Sequence, residues 1–299
     1  MHKDLSIGAM KMAKNYIKYI LALLLFGSNG IVASKITLES SNIVLLRTFA
    51  GSLLLIVVFM LSKRKICFLQ FKKDCFNIAI SGAAMGASWM LLYEAYIQIG
   101  VGTASLMYYC GPVIVMLLSP ILFREKLTGI KIGSFFVVLV GILFINSGAE
   151  EIRGNAGGVV LAGMSAVMYA VMVIFNKKSV HVKGLENAMI QLFVSFLTAA
   201  VYVGCKTNEV IQINSGDWVY ILILGLVNTG LGCYLYFSSI GALPVQTIAV
   251  CGYLEPLSAV LLSVFVLKET LLPMHILGAV FILGGAVFAE IFGHRKTGT

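Results

Sequence analysis

Tyr109-Cys-Gly-Pro112 leads to Leu117-Leu-Ser119 and then to Arg124-Glu125, and Tyr253-Leu-Glu-Pro256 leads to Leu261-Leu-Ser263 and then to Lys268-Glu269. Each matched residue is offset by 144 positions, close to half of the 299-residue chain. A shorter match, Ile99-Gly100 against Ile240-Gly241, follows at an offset of 141. The chain therefore reads as two like-built halves. What decides the fold is how often each half crosses a membrane.

Composition makes the membrane unavoidable. Of the residues, 59% are apolar before the 30 glycines are counted, and 12% are charged; soluble domains carry about 25% charged residues. With a mean hydropathy of +0.96 there is too little polar surface to cover a water-soluble globule, and a disordered chain is excluded by the same numbers. The net charge of +9 is not a nucleic-acid signal, because the bases sit in short clusters between apolar runs, where orientation in a membrane puts them. The six cysteines, Cys67, Cys75, Cys110, Cys205, Cys233 and Cys251, have no C-x-x-C spacing and read as free thiols used as small apolar residues. The scattered histidines give no metal-ligand pattern, so no metal or cofactor is expected.

A spanning helix needs roughly 17–25 mostly apolar residues. Ten such spans are expected, at 16–34, 43–62, 75–99, 103–123, 130–147, 155–175, 186–205, 217–240, 244–267 and 273–292. The first follows a polar, basic segment without a small-residue cleavage site and reads as an uncleaved signal anchor. Lys35, Arg153, Lys206 and Lys268 fall on one side of this arrangement, Arg47 inside a span, and every other Lys and Arg on the opposite side. Basic short loops stay cytoplasmic, which puts both termini in the cytoplasm. The chain then divides into a cytoplasmic segment 1–15, a five-helix repeat 16–147, an extracytoplasmic linker 148–154, a second five-helix repeat 155–292 and a cytoplasmic tail 293–299. Five is odd, so the halves cross in opposite senses. The fold class is an all-α integral membrane protein of two inverted five-helix repeats, a signature of alternating-access transporters with a site near the midplane.

The residues now resemble a known family. Phe26-Gly-Ser-Asn29, Leu46-Arg47, Trp89, Tyr93-Glu-Ala-Tyr96, Pro112 through Glu125, Tyr169-Ala170 and Pro256 through Glu269 together resemble the EamA family of the drug/metabolite transporter (DMT) superfamily, over about residues 16–292. Phe26 stands where the family commonly has Trp, and Glu269 lies one residue further from Gly278 than Glu125 does from Gly133. The resemblance implies transport of small metabolites across the inner (plasma) membrane, often amino acids or related compounds and frequently as export.

Ionisable residues within spans are costly and usually face the bundle interior. Glu255 lies near the midplane, before Pro256, and its repeat equivalent is Gly111. It reads as a ligand for a substrate ammonium, as a proton-coupling acid, or as a hydrogen-bonded packing residue. Arg47 and Glu94 lie at depths that differ by about 3 Å, so an Arg47–Glu94 ion pair is expected; the alternative is that Arg47 snorkels while Glu94 faces the cavity alone. Trp89, Tyr93 and Tyr96 share one helical face, and aromatic faces can hold an ammonium. Asn228, Ser28, Asn29, Tyr109 and Tyr253 complete the candidate substrate site. Pro112 and Pro256 are candidate flex points. Glu125 and Glu269, each beside a base at a span end, read as local interfacial pairs, and Gly82-x-x-x-Gly86 and Gly154-x-x-x-Gly158 as close helix contacts.

The function expected is secondary transport of a small organic solute by alternating access, with a proton as candidate coupling ion and the protein acting as monomer or homodimer. No Walker A motif occurs. A lipid-linked-sugar flippase of the same fold is the alternative. A multispan membrane enzyme lacks the nucleophile–base pair or metal cluster it would need at membrane depth.

Overall fold

In hydrocarbon, every backbone N–H and C=O must find its partner inside the chain, and an apolar run meets that demand as a helix. The computed structural model describes residues 2–63, 66–99, 101–125, 128–145, 156–206, 211–262, 265–266 and 273–293, and among these every regular element is helical. In chain order they are α1 (His2–Gly27), α2 (Asn29–Ala33), α3 (Ser40–Leu61), α4 (Lys72–Ile99), α5 (Val101–Tyr108), α6 (Gly111–Phe123), α7 (Gly129–Ile145), α8 (Ala156–Lys177) and α9 (Leu185–Lys206). The chain continues through α10 (Asp217–Leu222), a π-helical segment (Ile223–Leu231), α11 (Gly232–Ile240), α12 (Val245–Cys251), α13 (Leu254–Leu262) and α14 (Pro273–Gly293). Among the described residues six stretches are long and apolar enough to cross a bilayer unaided, and α6, α7 and α14 carry shorter apolar runs. The expected linker 148–154, Gly154, Lys268, Glu269 and the tail beyond residue 293 lie outside the described residues.

Two expected spans, 103–123 and 244–267, are not continuous helices. The first breaks between α5 and α6 and the second between α12 and α13. Proline lacks an N–H and its ring clashes with the carbonyl four residues earlier. Four residues before Pro112 is Tyr108, where α5 ends; four before Pro256 is Gly252, the C-cap of α12. Both prolines therefore sit in the first turn of the second half-helix rather than in a helix interior. The eighth span also departs from a plain α-helix, running through the π segment at its centre, a geometry often found at functional sites.

The packing obeys an exchange of halves. α1 packs on α11 and α13, as α8 packs on α4 and α6; α3 packs on the π segment, as α9 packs on α4. The pairs α3–α9 and α7–α14 map onto themselves. Tyr109 and Tyr253, the repeat equivalents, meet across this axis: the Tyr253 hydroxyl donates to the Tyr109 carbonyl at 2.8 Å and their ring centroids lie 6.4 Å apart. The close contact expected at Gly82 and Gly86 is present, since a Cβ at either would lie 2.6 or 2.7 Å from the carbonyls of Gln191 or Ser195 on α9.

Hydrogen bonds between loops sort the bundle into two ends. At one, Asp74 accepts from the backbone N–H groups of Val180, His181 and Val182, and Glu186 accepts from those of Cys67 and Phe68. This is the end that gathers the Lys- and Arg-rich loops, here called the basic end. At the other, Asp217 accepts from the Thr37 N–H and hydroxyl, and Lys206 pairs with Glu94 at 3.0 Å. Large exposed side chains such as Met60, Leu61, Ile121 and Phe136 form the outer, lipid-facing surface expected of a chain solvated by hydrocarbon.

Candidate functional site

A cavity of about 440 Å³ lies between the halves, toward the end opposite the basic one. Its rim residues Gly30 and Ser34 are exposed, so it reaches the molecular surface there. Its walls come from α1–α2 (Phe26, Asn29), α3 (Arg47), α4 (Trp89, Tyr93, Tyr96), α5 and the following turn (Tyr108, Tyr109), and α13 (Glu255). A narrower chamber of about 50 Å³ continues toward the basic end, lined by Leu23, Met85, Met172, Cys233, Tyr236 and Phe237 among others. Phe26, Asn29, Trp89, Tyr108 and Glu255 line both spaces, so they ring the passage between them.

Glu255 is the second residue of α13, directly after the α12–α13 break. Its own carbonyl accepts from Ser258 at 2.8 Å. Among the described residues no base lies within ion-pair distance of its carboxylate. The broken helix thus delivers a carboxylate to the mouth of the deep chamber.

The expected Arg47–Glu94 pair does not form. Glu94 instead accepts from Lys206 at 3.0 Å and from the Tyr202 hydroxyl at 3.4 Å, in a separate cleft shared with Glu39. Arg47 does not snorkel either: it is 3% exposed and its guanidinium carbon stands 4.0 Å from the Trp89 ring centroid and 5.8 Å from that of Tyr93. The reason is helical phase. Consecutive residues on a helix point about 100° apart, so Tyr93 faces the cavity while Glu94 turns toward α9. Depth along the axis, which the sequence gives, does not fix that angle.

Other expected site residues take different places. Trp89, Tyr93 and Tyr96 do form one wall. Asn29 lines both spaces, while Asn228 and Ser28 stand behind it: the Asn228 amide reaches Ser28 Oγ at 2.7 Å and Asn29 Oδ1 at 3.1 Å. Asn228 sits in the π segment, which packs tightly on α3; a Cβ on Gly51 would lie 2.9 Å from the Gly225 carbonyl. Tyr253 is fully buried and lines neither space, because its hydroxyl is spent on the Tyr109 carbonyl. Among the described residues Glu125 forms no ion pair with a neighbouring base; it reaches across to the other half, where Val245 N–H and Gln246 N–H donate to its carboxylate at 2.8 and 3.2 Å. Glutamate at a helix N-terminus satisfies donors that lack an intrahelical partner.

Glu125 belongs to a clasp that shuts the basic end. Lys177 Nζ, at the end of α8, donates to the carbonyls of Ile240, Gly241 and Leu243 in the α11–α12 turn. Gln246 Nε2 donates to Ser119 Oγ at 3.2 Å. Under the clasp, Tyr19, Leu243, Val245 and Ile248 fill the core with no exposed surface.

Tyr108, Tyr236 and Cys233 contribute to the chambers and carried no sequence signal of their own, since aromatics in apolar helices mostly pack; Tyr169, noted in the sequence only as part of the family resemblance, joins them. One clue existed for Tyr169. A Cβ on Gly111 would lie 2.7 Å from Tyr169 Cδ1, so the glycine that stands where the other half has Glu255 marks the space for that ring.

Comparison with known proteins agrees with this architecture. The family model described as "EamA-like transporter family" matches residues 14–147 and 156–290, and the chain belongs to that family. An uncharacterized transporter, YxxF, of Bacillus subtilis (strain 168) is 24% identical over 268 residues, covering 88% of this chain and 85% of that protein. A probable amino-acid metabolite efflux pump of Salmonella typhimurium is 25% identical over 205 residues, covering 65% and 68%. A solved crystal structure superposes with a TM-score of 0.81 at 17% identity, covering 94% of this chain and 99% of that one, a likeness of fold.

Proposed function

We propose that this member of the EamA-like transporter family is a secondary transporter that carries a small amine- or amino-acid-like metabolite through the cavity beneath Arg47 and past Glu255. The observation that carries the reading is a cavity enclosed by both halves, open at one end, sealed at the other by the clasp of Glu125 and Lys177, with a carboxylate at its floor that has no base within ion-pair distance among the described residues. An ammonium group supplies the counter-ion Glu255 lacks, and the aromatic walls accept the same charge by cation–π contact. A proton can take the ammonium's place on the empty site, which makes Glu255 the group for exchange of substrate against protons.

Transport then follows from the exchange symmetry. The halves can trade conformations when the clasp at the basic end opens and the rim at the other end closes, with the breaks before Pro112 and Pro256 absorbing the change. With the basic end in the cytoplasm, the inner membrane as location and solute release to the outside as direction, the state described here is the outward-open one. The Salmonella relative, a probable amino-acid metabolite efflux pump, supports amino-acid metabolites as the solute and efflux as the direction. Flux of radiolabelled amino acids and amines in proteoliposomes, with pH gradients of both signs, is the test. Saturable flux lost in Glu255→Gln supports the reading; no flux with any solute at any gradient contradicts it.

A further inference from the structure

Arg47 is buried without the partner a buried guanidinium normally has. It is 3% exposed, its Nε has no hydrogen-bond partner, and among the described residues no carboxylate lies within ion-pair distance of it. What it does have is the Trp89 ring, whose centroid lies 4.0 Å from the guanidinium carbon. A ring covers a guanidinium's face, whereas its N–H donors lie in the plane and point outward at the edge. Arg47 lines the 440 Å³ cavity, so a planar acceptor that enters the cavity meets a fixed cation whose donors are uncommitted. Glu255 lines the same cavity, and the two are not within ion-pair distance of each other.

We propose that Arg47 is the anion-docking residue of the transport site and that the substrate is a zwitterion carrying one carboxylate. Its carboxylate takes the in-plane donors of Arg47, its ammonium faces Glu255, and its side chain enters the apolar chamber of Leu23, Met85, Met172 and Phe237. Trp89, its ring centroid 4.0 Å from the guanidinium carbon, lines both spaces beside Arg47. The charge count selects the class. One fixed cation and one fixed carboxylate match a ligand with one charge of each sign, while a dianionic phosphate would leave Glu255 facing a second negative charge. The proposal rests on the transport reading above and goes beyond it by naming the group that recognises the acid end.

The test uses full-length protein in proteoliposomes and matched solutes built on leucine, methionine and phenylalanine: the amino acid, the amine lacking its carboxylate, the acid lacking its amine, and the methyl ester. Wild type should prefer at least one amino acid over its amine and its ester by about tenfold or more in half-saturating concentration, as charge-assisted hydrogen bonds require. Arg47→Gln should abolish that preference, lowering use of the amino acid to the level of the amine and leaving the amine within about threefold. Arg47→Lys, which keeps charge but not the planar fork, should fall between. Equal use of amino acid and ester by wild type overturns the proposal with no variant needed, even if Arg47→Gln fails to fold. So does a variant in which amino acid and amine fall together. If amines are carried but amino acids gain nothing, the transport reading stands and this inference fails; if no solute moves, both fail.

Discussion

The turn before Pro112 and the turn before Pro256 are the same device in two copies, and they do different work. In the second half the residue preceding proline is Glu255, at the mouth of the deep chamber. In the first it is Gly111, buried, with the Tyr169 ring in the space a side chain would fill. One copy brings a charge to the cavity; the other makes room for a wall. In the transport cycle proposed above, the difference assigns the motion to the duplicated scaffold and the chemistry to the positions where the copies have diverged.

The comparison breaks first at Glu255. Glu255→Gln keeps the shape and removes the charge, and flux should fall by about 100-fold, the equivalent of about 2.7 kcal/mol, in the range for loss of one partner of a buried charge pair. Its melting temperature should hold or rise, because a carboxylate held at membrane depth is costly. Unchanged flux would reduce Glu255 to a packing residue. At the equivalent position, Gly111→Val should lower stability by about 1–3 kcal/mol through overpacking against Tyr169, read as a lower melting temperature; a tolerated valine would remove the link between Gly111 and the wall.

The clasp sharpens the contrast between the ends. Glu125→Gln weakens the cap on α12 by about 1 kcal/mol, which should raise the rate at which a thiol reagent modifies Gln246→Cys by about fivefold. No change would mean that other contacts hold that end shut. The smallest effect is expected at Glu94. Its pair with Lys206 is partly exposed and worth about 0–1 kcal/mol, so Glu94→Gln should leave flux within about twofold. A loss as large as that of Glu255→Gln would put Glu94 in the transport path after all.

Much of this was legible in the sequence. Apolar runs gave the helices, the 144-residue offset gave the halves, and Glu255 and the Trp89–Tyr93–Tyr96 face stood out because a charge or an aromatic stripe in a membrane helix has few neutral explanations. The partners were not legible. Arg47 and Glu94 match in depth, yet a 100° step between Tyr93 and Glu94 sends the carboxylate to Lys206 and leaves the guanidinium on Trp89. The cross-half reach of Glu125 was hidden for a similar reason: its neighbour Arg124 is adjacent in sequence, whereas the Val245 N–H that donates to it is placed by how the two broken helices cross.

Alternating access is tested most directly at Cys233, which lines the deep chamber and is fully buried here. In a variant that keeps Cys233 as its single cysteine, a membrane-impermeant thiol reagent should modify it from either side of the membrane in turn, and substrate should protect it from both. Modification from one side only, under every substrate and pH gradient, would contradict a cavity shared by the two ends.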